Sequence, residues 1–140
     1  VASVFVYDQK HEAGAAQPLV SLGRLDAHDR RLVDVIRLME AHIDRPLTIR
    51  VLARRAGVAP RTLGMLFDHA IGESPGAYYL RLRLNAARRL VLDTTETMAD
   101  IAGRTGFSSA ATFTRAFKRA FEMPPTTFRR MSRHVAKPHV

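Results

Sequence analysis

The chain has 140 residues, which suits one domain or two very small ones, and 46% of them are hydrophobic, which excludes wholesale disorder. Its 22 lysines and arginines exceed its 13 acidic residues, and the formal net charge of +9 favours nucleic acid or, less often, an anionic membrane surface. Cysteine is absent, which excludes disulfides, zinc–thiolate sites and thiol catalysis, and no apolar run approaches the ~20 residues that span a bilayer.

The first part of the chain differs in pattern from the rest. Glycine and proline interrupt residues 1–25, which we interpret as a linker that follows the tail of a missing N-terminal domain. The chain starts at Val1 and has no secretory signal, so we expect a fragment of a longer cytoplasmic protein. The predicted folded domain covers residues 26–134, and residues 135–140 form a C-terminal tail.

From Asp29 onward, hydrophobic residues recur at helical spacing. The first helix begins near Asp29, and Pro46 is expected to end it. Thr48 is a natural N-cap for a short helix that runs to Ala56, with Gly57 just beyond its end. The apolar face of the first helix comprises Leu32, Val35, Ile36, Met39 and Ile43.

Proline and glycine also delimit the next two helices. Pro60 stands in the first turn of one helix, and Gly72 closes it. Ser74 and the proline after it cap a long helix that extends to about Leu92. The expected buried stripe of this long helix consists of Leu80, Leu84, Ala87 and Val91.

Two further helices follow the long one. Thr97 caps a short helix that Gly106 ends. The next helix begins at Ser108 or Ser109 and runs to Phe121.

Pro124 and Pro125 then lead into a last short helix through Phe128 and Met131. No segment alternates as a strand would. The fold class is therefore all-α, with about seven helices.

An internal repeat organises these helices. Thr48, Ala53 and Gly57 recur 49 positions later as Thr97, Ala102 and Gly106. After one inserted residue, five apolar positions also match, because Leu63, Leu66, Phe67, Ala70 and Ile71 align with Phe113, Ala116, Phe117, Ala120 and Phe121.

Each repeat is a short helix, a turn and a longer helix. The small alanines allow two helices to cross closely, and Gly57 and Gly106 tolerate the left-handed backbone of the turn. This pattern predicts two tandem helix-turn-helix units, joined by the long helix Pro75–Leu92.

The second helix of such a unit presents one face to the major groove of double-stranded DNA. At 100° per residue, the outward positions give a set of candidates for base contact, with Arg61 and Arg115 expected at guanines. We expect Arg88, Lys118 and Arg119 to bind phosphates. The base candidates are Arg61, Gly64, Met65, Ala111, Thr112, Thr114 and Arg115.

Other interpretations of these residues stay open. Arg61 and Arg115 could be solvated surface cations, Met65 could lie at the edge of the core, and Arg88 could form an internal ion pair. The six histidines show no metal-ligand spacing, so no metal or cofactor is predicted. An enzyme would need a catalytic constellation that the sequence lacks. A helical module that has lost DNA binding is a further alternative.

The chain from Asp29 to Met131 resembles the C-terminal DNA-binding domain of the AraC/XylS family of bacterial regulators. The most specific motif is Ile101-Ala102 followed by Gly106-Phe107-Ser108-Ser109, then Phe113-Thr114-Arg115-Ala116-Phe117-Lys118 and Pro124-Pro125. The linker-helix pattern Arg83-Leu84-x-x-Ala87-Arg88-x-Leu90-Val91 also matches. Leu38-Met39-Glu40-Ala41 and Tyr78-Tyr79 are most similar to the GlxA-type branch, in which an amidotransferase-like domain comes first.

The resemblance implies a DNA operator as the partner, RNA polymerase as a second partner if the protein is an activator, and no membrane. It implies oligomerisation, if any, through the missing N-terminal domain, and a location in the bacterial cytoplasm, at the nucleoid when DNA is bound. The chain departs from the family pattern at Ala59, where serine is common, and at Gly64 and Met65, where longer polar residues and arginine are common. Glu122 stands where glycine is common.

Overall fold

The computed structural model describes residues 30–136, so the predicted linker over 1–25 and the last part of the predicted tail lie outside the described residues. The described part of the chain contains seven helices and no strand, which confirms the predicted all-α class. In chain order the helices are α1 (Arg30–Ala41), α2 (Ile49–Ala56), α3 (Pro60–Ala70), α4 (Pro75–Asp93), α5 (Met98–Arg104), α6 (Ala110–Phe121) and α7 (Pro125–Ala136).

The chain divides into two compact units, and the boundary falls within α4, after Leu82. Each unit has a hydrophobic core of its own. In the first unit, Phe67 of α3 packs edge-on against Tyr78 of α4, with ring centroids 5.7 Å apart. The other buried residues of this core are Leu32, Val35, Ile36, Met39, Leu52, Ala53, Leu63 and Tyr79.

The first helix is shorter than predicted. It ends at Ala41 and not at Pro46, so Ile43 lies beyond it. The hydroxyl of Tyr79 donates to the carbonyl of His42 (2.6 Å) and accepts the N–H of Leu47 (3.0 Å). A side chain from α4 thus forms hydrogen bonds with the backbone of the loop. The loop backbone therefore has partners for these polar groups without continuing the helix to Pro46.

Leu80 of the expected buried stripe and Ala70 of the apolar repeat positions are both exposed. Leu80 is 37% exposed, and Ala70 is exposed at the end of α3. Tyr78 and Tyr79 face the core of the first unit, and at 100° per residue Leu80 points about 150° away from their mean direction. Leu84, Ala87 and Val91 of the predicted stripe are buried, in the core of the second unit.

The core of the second unit is built from phenylalanines. Phe117 of α6 lies at its centre, with ring centroids 5.7 Å from Phe113, 4.6 Å from Phe121 and 5.5 Å from Phe128. Phe113 in turn lies 5.4 Å from Phe107. These aromatic side chains form the core and do not provide a stacking platform for bases.

Hydroxyl side chains cap four helices at the predicted positions. Thr48 and Thr97 each accept the backbone N–H three residues ahead, at 3.1 and 3.0 Å, at the starts of α2 and α5. Ser74 and Ser109 do the same for α4 and α6, both at 3.1 Å. The last helix, α7, is longer than predicted, because its 12 residues extend to Ala136.

Candidate nucleic-acid interface

The turn of each helix-turn-helix unit is held by the same backbone geometry. Gly57 has φ 74° and Gly106 has φ 84°, so both adopt the left-handed conformation for which glycine was predicted. The residue after each glycine donates its N–H to the carbonyl of the alanine in the preceding helix, at 3.0 Å to Ala53 and 2.8 Å to Ala102. Both alanines are buried. The two copies of the sequence repeat therefore adopt the same turn structure, one in each unit.

A side chain from the linker helix braces the second turn. Arg83 donates from Nε to the carbonyl of Thr105 (2.8 Å) and from Nη2 to the carbonyl of Gly106 (2.9 Å). Its guanidinium also lies over the ring of Phe107, 4.3 Å from the centroid. The sequence marked Arg83 only as part of a linker-helix motif. The hydrogen bonds from Arg83 to the turn were not predicted, because no local sequence pattern links residues 22 positions apart.

Two further arginines, on α7, hold the C-terminal end of α4. Arg129 donates to the carbonyls of Val91 (3.0 Å) and Glu96 (2.7 Å), and Arg133 donates to the carbonyl of Thr94 (3.0 Å). Burial lowers the pKa of Arg129, and the charge of Arg133 lowers it further. Arg129 thus binds a carbonyl in the last turn of α4, and both arginines bind carbonyls of the loop that follows this helix.

The second helix of the first helix-turn-helix unit, α3, is the predicted recognition helix, and it begins without a side-chain cap. Ala59 occupies the N-cap position and makes no capping hydrogen bond, and Pro60 supplies the first turn. Arg61 is exposed and Met65 is 62% exposed, so Met65 does not belong to the core. A Cβ atom added at Gly64 would meet no atom within 4 Å. The outer face of α3 thus presents one long polar donor, Arg61, among its predicted base candidates.

The second recognition helix, α6, has a capped start and a more polar outer face. Ala111 and Arg115 are exposed, while Thr112 and Thr114 are half-buried. A guanidinium nitrogen of Arg115 lies 3.5 Å from the hydroxyl of Thr112, which itself lies 3.0 Å from the Ser109 hydroxyl. The helix therefore brings its predicted base candidates to one outer surface, where Arg115 has a polar neighbour that can orient it.

The predicted phosphate ligands of the second unit differ in their surroundings. Lys118 and Arg119 are exposed in the last turns of α6. Arg88 is half-buried on α4, and its guanidinium lies over the ring of Phe121, 5.3 Å from the centroid. Arg88 thus contacts its own unit through a cation–π interaction, and its role at phosphate stays a prediction.

The residue that follows α6 adopts an unusual backbone conformation. Glu122 has φ 68°, and among the described residues it is the one non-glycine with positive φ. Its N–H donates to the carbonyl of Lys118 at 2.7 Å, which closes the helix in the way that glycine commonly does. Glu122 therefore replaces the glycine that is common in the family, and the backbone keeps the left-handed turn.

Among residues 30–133, whose side chains the structure describes, no group of three acidic or histidine side chains could hold a metal ion. No helix in this part of the chain has the length and apolar character that crossing a membrane requires.

Comparison with known proteins places these features in a family. A model described as a helix-turn-helix domain matches residues 52–131, more than half of the chain. The HTH-type transcriptional regulator GlxA of Rhizobium meliloti is 37% identical over 132 residues, which is 94% of this chain and 41% of that protein. The chain spans less than half the length of the curated relatives that it matches.

Solved structures give the same assignment. An AraC-type transcriptional regulator from Chromobacterium violaceum has a TM-score of 0.71 at 35% identity, over 80% of this chain and 97% of that one. The DNA-binding domain of AdpA, solved in complex with a target DNA, has a TM-score of 0.72 at 26% identity, over 75% of this chain and 95% of that one. These similarities confirm the predicted regulator family.

Proposed function

Because the chain belongs to the helix-turn-helix family of AraC-type regulator domains, we propose that it binds double-stranded DNA in a sequence-specific manner as the DNA-reading part of a bacterial transcription regulator. The observation that carries this proposal is the repeated turn, with glycine in the left-handed conformation, ahead of a helix with an exposed polar face. Such a helix can enter the major groove while its apolar face stays in its own unit.

We propose that α3 and α6 are the two recognition helices, in successive segments of the major groove. On α6, the forked donor of Arg115 suits the O6 and N7 acceptors of guanine, and the methyl groups of Thr112 and Thr114 suit thymine methyls. On α3, Arg61 supplies the comparable donor. Lys118 and Arg119, exposed in the last turns of α6, would hold the DNA backbone and set the register.

The partners and location of the whole protein follow from the same proposal. A DNA operator is the primary partner, and RNA polymerase is the second if the regulator activates transcription. Oligomerisation, if any, would use a further N-terminal domain, and the regulator would act in the cytoplasm, at the nucleoid when bound.

Selection of duplexes from a random pool, followed by footprinting on the selected site at a stated salt concentration, tests the proposal. We expect two protected segments of the major groove about 10 base pairs apart, one helical turn of DNA. A single protected segment would contradict the use of two recognition helices. Equal affinity for the selected and random duplexes would contradict sequence-specific binding, and absence of binding even at low salt would favour a protein-interaction module.

A further inference from the structure

The first helix of the first unit carries an arginine surface, formed by Arg50, Arg54 and Arg55 of α2. All three side chains are exposed, and α2 contains no acidic residue. None of the three forms an ion pair with a carboxylate within the described residues. Arg50 and Arg54 are one turn apart, so they lie next to each other on the helix. The arginine surface therefore presents uncompensated positive charge to solvent.

Helix stability does not account for the whole of this surface. Arg54 and Arg55 lie in the last turn, where a cation interacts favourably with the helix dipole. Arg50 lies in the first turn, where the same interaction is unfavourable. A cation at that end costs stability in the free protein, and a polyanion bound alongside the helix would reverse the cost.

The equivalent helix of the second unit lacks such a surface. The positions that match Arg50 and Arg54, at the repeat distance of 49, are Ala99 and Gly103 of α5. The position that matches Arg55 holds Arg104, which forms an ion pair with Glu96. The two units thus differ in the helix that precedes the recognition helix, although their turns are alike.

The recognition helices differ in the opposite sense. The outer face of α3 offers Arg61 with glycine and methionine beside it, and its charge is offset by the exposed Asp68. The outer face of α6 offers two threonines and Arg115, and α6 contains no acidic residue. The side chains that can read bases are therefore concentrated in the second unit.

We infer that the two units divide the work of DNA recognition. The first unit holds the DNA backbone through the arginine surface of α2, which binds phosphates without regard to sequence, and the second unit supplies most of the base reading through α6. The first helix of a helix-turn-helix crosses the backbone, which places such a surface beside phosphates. This inference rests on the proposed function and assigns to α2 a binding site beyond the recognition helices.

The salt dependence of DNA affinity tests the inference. Fluorescence anisotropy with the full chain, on the selected duplex and on a scrambled duplex, gives the slope of log K against log salt concentration for each protein. Each phosphate contact contributes about 0.9 to this slope, so the Arg50→Gln/Arg54→Gln variant should lose about 1.8 on both duplexes. The ratio of the two affinities should stay that of the unmodified chain, and Arg50→Lys/Arg54→Lys should restore the slope.

A charge-matched control separates this effect from a general loss of positive charge. Arg30→Gln/Arg37→Gln removes two exposed cations from α1, outside the helix-turn-helix of the same unit, and should leave the slope nearly unchanged. Circular dichroism checks that both variants fold. Equal slopes for the α1 and α2 variants would overturn the inference, as would a lower affinity ratio in the α2 variant. Equal affinities of the unmodified chain for the two duplexes would instead contradict the proposed function.

Discussion

Replacing Arg83 with methionine tests how far the second turn depends on a residue of the linker helix. The substitution removes the hydrogen bonds to the carbonyls of Thr105 (2.8 Å) and Gly106 (2.9 Å), and the cation over Phe107. Methionine is unbranched and keeps an apolar contact with the ring. The change therefore isolates the charged head of the side chain from its packing.

The expected loss can be worked from these contacts. A hydrogen bond from a charged donor contributes about 1.5–3 kcal/mol, and a cation–π contact about 0.5–1 kcal/mol. Arg83 is half-buried, so water can replace part of what its guanidinium supplies. We expect Arg83→Met to lower the free energy of unfolding by about 2–3 kcal/mol. Arg83→Lys, with a single donor group, should lose about half as much.

Urea denaturation followed by circular dichroism measures this loss. Arg89→Met is the matched control, because Arg89 is an exposed arginine on the same helix. The control should change the free energy of unfolding by less than about 0.5 kcal/mol. If Arg83→Met and Arg89→Met lost the same amount, the hydrogen bonds to the turn would not stabilise the second unit as argued.

Three further substitutions have definite expected outcomes. Burial raises the pKa of Tyr78 to about 12, so the folded state resists ionisation of this tyrosine and the free energy of unfolding should fall as the pH rises from 10 to 12. Tyr78→Phe should reduce that fall, which urea titrations at a series of pH values measure. Gly64→Ala should raise the free energy of unfolding in urea denaturation by about 0.5–1 kcal/mol, because glycine loses more conformational entropy on folding than alanine and the added Cβ would meet no atom within 4 Å outside the local backbone. A lower free energy of unfolding would contradict this prediction. Glu122→Gly should raise the free energy of unfolding by a similar amount, because glycine adopts the φ of 68° at this position with less strain than glutamate. Thermal denaturation measures this effect, and an unchanged melting temperature would argue against strain.

The features of the fold that depend on neighbouring residues could be predicted from the sequence. Caps such as Thr48 and Ser109 act within three residues, and Gly57 and Gly106 determine their turns locally. The internal repeat strengthened the prediction of these turns, because the same cap and turn residues occur twice in the sequence. On α6, Ala111 and Arg115 are exposed and Thr112 and Thr114 are half-buried, since helical periodicity decides which side chains face the core.

Features that depend on distant residues could not be predicted in the same way. Tyr79 satisfies backbone groups of the loop after α1 from 32 and 37 positions away, and the first helix ends where this loop begins. Leu80 followed the apolar periodicity of α4, yet the two tyrosines before it occupy the core of the first unit. In both cases, tertiary contacts decided between local patterns that were each plausible.

The arginine surface of α2 was overlooked for a different reason. Base reading depends on the recognition helix, whereas affinity for a polyanion depends on every exposed cation near the DNA backbone. The structure distinguishes the cations of α2, because all three are exposed, whereas the equivalent Arg104 forms an ion pair with Glu96.

We propose that α6 reads bases through Arg115. The affinities of the Arg115→Ala variant for the selected and the random duplex, at one salt concentration, test this most directly. Base reading predicts a loss of about 1–3 kcal/mol on the selected duplex and little on the random one. Lys118→Ala, one turn further along α6, is the matched comparison and should lose similar amounts on both. Equal losses on both duplexes for Arg115→Ala would contradict base reading and assign Arg115 to the DNA backbone.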